Sequence, residues 1–326
     1  MPDRLKVGAV VDGYGSSTRA VLEMAEHAEK TGMDSVWLSQ MPNQREVGTV
    51  VAGLAVATQR VSIASAVLPM YTRPPVIMAQ SAMTTDELSG GRVVLGLGLG
   101  HRGVGDWMVG SRPVPPVTGT REYLTIVTSL IREGEVSFDG RFHSGHAAYS
   151  GQRREDLPVL LGAFGPKMLE VAGELADGVI LWMCTPEYVS RHAFAALRRG
   201  WQRRGGRPST FSVVAMMHAG VSPEPDRDRE VFARLLSSYL RVATYRKLFE
   251  ASGFTEAVAA NRPEDTIVRA LASFGGEDIG RRMAEYRQAG VDEIAVVAAG
   301  TAAGSVARCL DTLAAANDIA RALDSP

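Results

Sequence analysis

Short apolar runs alternate along the chain with stretches in which apolar residues recur every three or four positions. The first pair is the run 5–11 and the stretch 16–32, which starts with Ser and Thr and stops at Gly32. Runs that are apolar throughout and are separated by helices are typical of parallel strands buried on both faces. The pattern predicts eight strands, at 5–11, 34–39, 60–68, 92–99, 157–163, 177–183, 211–217 and 291–297.

A helix is predicted after each strand, which places the chain in the α/β class. The strict alternation favours one (β/α)8 TIM barrel, a single domain over residues 1–326. A doubly wound open sheet is the alternative fold. Two insertions are predicted: a surface hairpin at 135–152, after the fourth helix, and a helical segment at about 225–262, between strands seven and eight.

Composition narrows the class of function. The 326 residues are 45% hydrophobic and carry a formal net charge of −1, so the protein has no field that would steer it onto nucleic acid or an anionic membrane. Cys184 and Cys309 show no metal-ligand spacing, and there is no HExxH motif, so no metal is expected. No apolar stretch approaches the ~18 residues of a membrane span, and the cytoplasm is the expected location.

The stretch "VVLGLGLGHRGVGDWM" at 93–108 contains the spacing Gly98-x-Gly100-x-x-Gly103. In a dinucleotide-binding fold this spacing follows the first strand and opens a helix. Here it follows the fourth strand and precedes a proline-rich segment, which argues against that interpretation. Alternate glycines on one strand face would instead admit a flat ligand or another backbone. His101 would follow at the barrel mouth, either as a reactive group or as an ordinary exposed histidine.

The stretch "GAFGPKMLEVAG" at 162–173 predicts a strand end followed directly by a helix. Pro166 suits the first helical position, so the N–H groups of Lys167 and Met168 would point toward the strand ends. Together with the helix dipole and the Lys167 charge, these groups would form a phosphate-binding cradle. An ordinary tight turn is the alternative.

Several segments together resemble the bacterial-luciferase-like superfamily, and within it the oxidoreductases that use the deazaflavin coenzyme F420. They are "DSVWLSQ", "IASAVLPMYTRPPVIMAQSAMTTDELSGGRVVLGLGLGH", "GAFGPKMLEVAGELADG" and "AGVDEIAVV". The resemblance extends over nearly the whole chain. It implies F420 as cofactor, with FMN as the alternative, a small-molecule substrate and a homodimer.

The resemblance also implies roles for individual residues. A non-proline cis peptide would fall at Ala66-Val67, before Leu68, and would support the deazaflavin ring. His101 takes the position where related enzymes often place a proton donor or acceptor. The other cofactor-binding positions implied are Ser39 and Gln40 after strand two, Leu99 and Gly100 after strand four, Ala163, Phe164, Gly165, Lys167 and Met168 after strand five, and Trp182 at the end of strand six.

One departure bears on the reaction. Sugar-phosphate dehydrogenases of this branch carry Asp-His after strand two and Glu after strand four, whereas this chain has Gln40, Met41 and His101. A single histidine suits protonation after hydride delivery to a C=C, C=N or C=O bond. The expected function is therefore an F420-dependent reductase. An FMN-dependent monooxygenase and a non-catalytic flavin-binding barrel are the alternatives.

Overall fold

Eight parallel strands close into a barrel. The computed structural model describes residues 4–12, 17–100, 107–110, 114–299 and 306–323. The barrel strands pair with one another in chain order, and the last pairs with the first to complete the cylinder. The predicted TIM barrel is confirmed. The barrel strands are β1 (Lys6–Val10), β2 (Ser35–Leu38), β3 (Ser62–Ser65), β5 (Val93–Gly98), β8 (Val159–Gly162), β9 (Gly178–Leu181), β10 (Ser212–Gly220) and β12 (Glu293–Ala298).

Helices surround the barrel. Several begin with proline at the first helical position, where its missing N–H leaves no helical bond unmade, and α3, α4 and α7 end at a left-handed glycine. They are α1 (Thr18–Lys30), α2 (Val47–Ala57), α3 (Pro75–Ser89), α4 (Pro116–Glu133), α5 (Pro166–Leu175), α6 (Pro186–Tyr188) with a π-helical segment (Val189–Ala193), α7 (Phe194–Arg204), α12 (Gly276–Gln288) and α13 (Val306–Leu323).

Both predicted insertions are present. The first is the antiparallel hairpin β6 (Glu135–Asp139) and β7 (Ser144–Ala148). The second contains α8 (Pro225–Tyr239), α9 (Ala243–Ala251), α10 (Thr255–Ala260) and α11 (Asp265–Leu271). It ends in a strand that the sequence pattern did not reveal, β11 (Ala272–Phe274), which pairs with β10. Three residues are too few to show strand periodicity.

The third strand is shorter than predicted. It ends at Ser65, and the chain resumes as the two-residue strand β4 (Leu68–Pro69), which pairs with β5. Between them the Ala66–Val67 peptide bond is cis, as the resemblance implies. The apolar run at 60–68 is therefore one predicted strand in the sequence and two pieces in the structure.

Side chains of alternate strand residues fill the barrel. The interior cluster includes Val10, Trp37 and Ile180, and it is separate from the larger core between the strands and the helices. At the amino end of the strands, Glu293 accepts hydrogen bonds from the Ser35 hydroxyl and, at 2.9 Å, from the Trp37 indole. Burial raises the pKa of the Glu293 carboxyl. A hydrogen-bonded core therefore closes the interior at this end, and in TIM barrels ligands bind at the opposite, carboxyl end of the strands.

Candidate functional site

The carboxyl ends of the barrel strands carry partly exposed side chains. Because inward-facing residues alternate along a strand, the residue two positions after the last buried interior residue also faces the barrel axis. Val10, Trp37, Ile180 and Met216 belong to the interior cluster. The positions that follow them are Asp12 after β1, Ser39 after β2, Trp182 after β9 and His218 on β10, and all four are half-buried.

Glycines of β5 make room for the cis bulge. A Cβ atom at Gly96 would overlap the Ser65 carbonyl oxygen, and one at Gly98 would overlap the Val67 side chain. Of the two uses predicted for these glycines, close approach of another backbone is therefore observed at Gly96. Gly96 also donates its N–H to the Ser65 hydroxyl at 3.0 Å, and that hydroxyl donates to the Gly96 carbonyl at 2.8 Å. The Val67 side chain therefore forms the side of the mouth above β5, where the glycines of β5 have no side chains.

The amino end of helix α5 opens beside the strand ends. Its N-cap residue is Gly165, which has no side chain to accept the first N–H groups, and a Cβ atom at Gly165 would meet nothing within 4 Å. Lys167 is exposed in the first turn. The Tyr188 hydroxyl donates to the Phe164 carbonyl at 2.6 Å, which fixes the preceding loop. Free N–H groups and the positive end of the dipole suit an anion such as a phosphate.

Aromatic side chains from the second insertion cover the strand ends. The ring centroid of Phe232, on α8, lies 4.7 Å from that of His218. The ring centroid of Tyr239, also on α8, lies 6.1 Å from that of Trp182. Tyr245 of α9 lies 4.8 Å from the Phe164 ring. The insertion thus packs onto three strand ends and excludes water from one side of the mouth.

His218 is held as a neutral imidazole. Its ring lies 4.9 Å from Trp182, and burial lowers the pKa of His218 to about 3. Its Nε2 atom is buried and has no hydrogen-bond partner among the described residues. His218 is therefore uncharged at neutral pH.

Unlike His218, Asp12 has a pKa near neutral pH. Its Oδ1 accepts a hydrogen bond of 2.5 Å from the Ser39 N–H. Burial raises the pKa of Asp12 to about 7, although the hydrogen bonds from the Ser39 backbone and side chain act to lower it. Asp12 therefore changes charge near neutral pH.

A family model described as luciferase-like monooxygenase matches residues 6–319. The chain belongs to this luciferase-like family. The match extends over nearly all of the barrel and includes both insertions.

Relatives of the chain within the luciferase-like family are named as F420 enzymes or as a reductase. A 5,10-methylenetetrahydromethanopterin reductase of Methanolobus tindarius is 29% identical over 74% of this chain and 73% of its own length. A putative coenzyme F420-dependent oxidoreductase of Mycobacterium tuberculosis is 29% identical over 86% of this chain and 90% of its own. The structure of an F420-dependent secondary alcohol dehydrogenase with an F420-acetone adduct superposes with a TM-score of 0.79, at 19% identity, over 96% of this chain and 99% of that one.

The structure brings most of the predicted cofactor-binding residues to the mouth of this luciferase-like barrel. They lie at the ends of β2, β3, β5 and β9 and around the start of α5. Half-buried or exposed residues at the mouth are Ser39, Val67, Leu99, Gly100, Phe164, Gly165, Lys167, Met168 and Trp182, and Ala66 lies in the buried barrel interior.

Three predicted residues play a different part. The side chains of Leu68 and Ala163 belong to the core between strands and helices, so only their backbone could reach a cofactor. Gln40 accepts from Val47 N at 2.8 Å and donates to two carbonyls at 3.1 Å, which ties its loop to helix α2. His101 lies outside the described residues.

Asp12 is missing from the predicted site. The sequence contains an indication of this position. Side chains alternate along a strand, so Asp12, two residues after Val10, should point to the same side of strand one as Val10. Among the described residues, no group of three or more metal-binding side chains occurs, and no helix is long and apolar enough to cross a membrane.

Proposed function

We propose that this protein is a coenzyme F420-dependent oxidoreductase that acts as a reductase on a small organic substrate. The observation that carries the proposal is the uncapped start of α5, with Lys167 beside it, just after a strand whose last residue, Gly162, lies against the Val67 side chain. These features suit a ligand with a phosphate and a flat ring. The relatives named as F420-dependent support F420 as that ligand.

The residues at the mouth fit the cofactor. Gly165, Lys167 and Met168 would hold its phosphate, and Val67, Ser39 and Trp182 would border its ring. When bound, reduced F420 supplies a hydride to the substrate. The polypeptide contributes orientation, exclusion of water by the aromatic cover, and a proton.

His101 is our proposed proton donor. The substrate gains a hydride at one atom of a C=C, C=N or C=O bond and a proton at the other, and imidazole can supply that proton near neutral pH. Burial lowers the pKa of His218 to about 3, so His218 is not an imidazolium at neutral pH and is a poor acid, which supports a donor elsewhere at the mouth.

The proposal is tested by titrating the purified protein separately with F420 and FMN and following tryptophan fluorescence, since Trp182 lies at the mouth. We expect quenching by F420. Reduced F420 is then offered with a panel of enones, ketones and imines, and its oxidation is followed by absorbance. Tight binding of FMN with none of F420, together with oxygen consumption in the presence of reduced FMN, would overturn the proposal in favour of a monooxygenase.

His101→Ala should lower turnover on the best acceptor of that panel by about 100-fold, because a positioned acid typically contributes two to four orders of magnitude. F420 quenching should persist. His146→Ala is the matched control, since His146 is exposed on the surface hairpin β7, and it should keep full turnover. Unchanged turnover in His101→Ala would contradict the role of proton donor.

We also propose that two copies associate through helices α2 and α3. Val56 is 67% exposed on α2, and Ile77 and Leu88 are 48% and 55% exposed on α3. The exposed residues of α3 are Ile77, Ser81, Thr84, Glu87 and Leu88, and Glu87 is the one charged residue among them. Exposed apolar side chains that continue over two adjacent helices are typical of a two-fold interface.

Replacing Ile77 and Leu88 together by Lys should convert the protein from a dimer to a monomer, because four like charges would meet across the two-fold axis. Light scattering coupled to size exclusion measures the change. Leu235→Lys, at an exposed position of α8, is the control and should leave the mass unchanged. A double variant that still runs as a dimer would place the interface elsewhere.

A further inference from the structure

Asp12 and His218 are the ionisable side chains among the described residues that follow the interior positions at the strand ends. On the neighbouring strand β2 and the loop after it, Ser39, Gln40 and Met41 are uncharged. On the other neighbour, β12, Val297 and Ala299 are apolar. His218 stays neutral, whereas the pKa of Asp12 lies near neutral pH, so the Asp12 carboxyl can be present there in its protonated form.

Only one of the two carboxyl oxygens of Asp12 is engaged by the backbone. Oδ1 accepts from the Ser39 N–H at 2.5 Å, which fixes the orientation of the carboxyl group. The Ser39 side chain also hydrogen-bonds to this carboxyl group, and the Asp12 side chain is half-buried. In its protonated form this carboxyl group can accept both bonds from Ser39 and still has one O–H to donate to a ligand at the mouth.

We propose that Asp12, in its protonated form, is a catalytic residue that donates a hydrogen bond from Oδ2 to the carbonyl oxygen or imine nitrogen of the substrate. The inference rests on the proposed function and deepens it. It identifies the substrate as a neutral compound with a polarised double bond, such as a conjugated carbonyl compound or an imine. The hydride comes from the reduced deazaflavin and the transferred proton from His101, and Asp12 keeps its own proton.

The chemistry requires a neutral carboxylic acid at the mouth. A hydrogen bond to the heteroatom withdraws electron density from the double bond and stabilises the charge that develops as the hydride arrives. A carboxylate cannot donate this bond and would repel the developing negative charge. Burial holds the pKa of Asp12 at about 7, so an appreciable fraction is protonated at neutral pH.

Substitution distinguishes hydrogen bonding from proton transfer. Asp12→Asn keeps a neutral donor at the Oδ2 position and an acceptor for Ser39 N–H, so it should retain turnover within about 10-fold at pH 6, whereas Asp12→Ala should lose about 100-fold. The acceptor is the best one from the panel with reduced F420. If Asp12 instead transferred a proton, Asp12→Asn would be as inactive as Asp12→Ala, and that result would overturn the inference.

The pH profile gives a second readout. A group with a raised pKa is active below that pKa and is lost as the pH rises through it, so kcat/KM should fall above about pH 7. Asp12→Asn should remove one ionisation from this alkaline limb. Ser39→Ala removes a hydrogen bond that lowers the pKa of Asp12, so the limb should move to higher pH. Glu293→Gln is the control, because it removes a buried carboxyl at the opposite end of the barrel and should leave the limb in place.

A readout without turnover completes the test. In carbon-13 spectra of the protein without cofactor, the Asp12 carboxyl signal, assigned by its loss in Asp12→Asn, should titrate near pH 7 and shift when F420 is added. Titration near pH 4, or a signal insensitive to bound F420, overturns the inference alone. If F420 fails to quench tryptophan fluorescence, or no acceptor is reduced, the proposed function fails and the inference fails with it.

Discussion

Gly96→Ala should destabilise the barrel and abolish cofactor binding together. The new methyl group would overlap the Ser65 carbonyl oxygen, which is backbone and cannot rotate away, and would also lie 2.8 Å from the Ile180 side chain. Overpacking of this kind costs about 3 kcal/mol of unfolding free energy, and sometimes more. Relief requires β3 and the Ala66–Val67 bulge to move off β5, which displaces the Val67 wall of the mouth. Thermal unfolding and F420 titration measure the two effects.

Gly53→Ala is the matched control for this substitution. Gly53 lies within helix α2, and its new methyl group would meet the Leu22 side chain at 3.6 Å, an ordinary contact. Alanine in a helix interior should raise the free energy of unfolding by about 0.5–1 kcal/mol. Normal stability and F420 affinity in Gly96→Ala would show that the bulge does not depend on this glycine.

Gly165→Asp should weaken cofactor binding while slightly stabilising the protein. The backbone at this position is extended (φ −76°) and the Cβ direction is open, so the carboxylate can cap the first N–H groups of α5. Capping and the dipole add about 0.5 kcal/mol to the free energy of unfolding. The same carboxylate occupies an N–H group that would otherwise bind the phosphate, and its negative charge repels the phosphate. The affinity for F420 should therefore fall about 100-fold, which corresponds to a loss of about 3 kcal/mol in charge-assisted hydrogen bonds.

Two further substitutions at this position separate the causes. Gly165→Asn caps the helix without a charge and should reduce F420 affinity by only about 10-fold, which is one lost hydrogen bond of about 1.4 kcal/mol. Gly165→Ala leaves the N–H groups free and should bind as the unsubstituted protein does. Fluorescence titration and thermal unfolding give the affinity and the stability of each variant. If Gly165→Asp bound F420 normally, the phosphate would have to lie elsewhere.

Much of the fold could be predicted from the sequence because parallel strands buried on both faces leave continuous apolar runs. Periodicity predicted all eight barrel strands and both insertions. It could not reveal β11, which has three residues, or the break in the third strand, where the apolar run continues unchanged through the cis bond. Such features depend on what lies across the barrel, here on Gly96, and not on the local pattern.

The candidate site was predictable where local geometry defines it. Gly165, Pro166 and Lys167 form a strand-to-helix turn whose uncapped helix start follows from the residue types alone. Asp12 required the inward parity of β1 together with its hydrogen bond from Ser39, which is 27 residues away in the chain. The use of Gln40 as a loop brace likewise depends on the fold, since its partners include the first turn of helix α2.

Strand β11 returns the chain to the strand from which the second insertion departs. His218 pairs with Ala272 and Gly220 with Phe274, so the segment leaves and re-enters the barrel at neighbouring points. Its length and helix content can therefore change while the register of β10 and β12 stays fixed, because closing a longer loop adds little entropy cost. The second insertion, which carries Phe232, Tyr239 and Tyr245 over the mouth, can therefore be replaced as a unit. Replacing this one segment in evolution would change which substrates the mouth accepts.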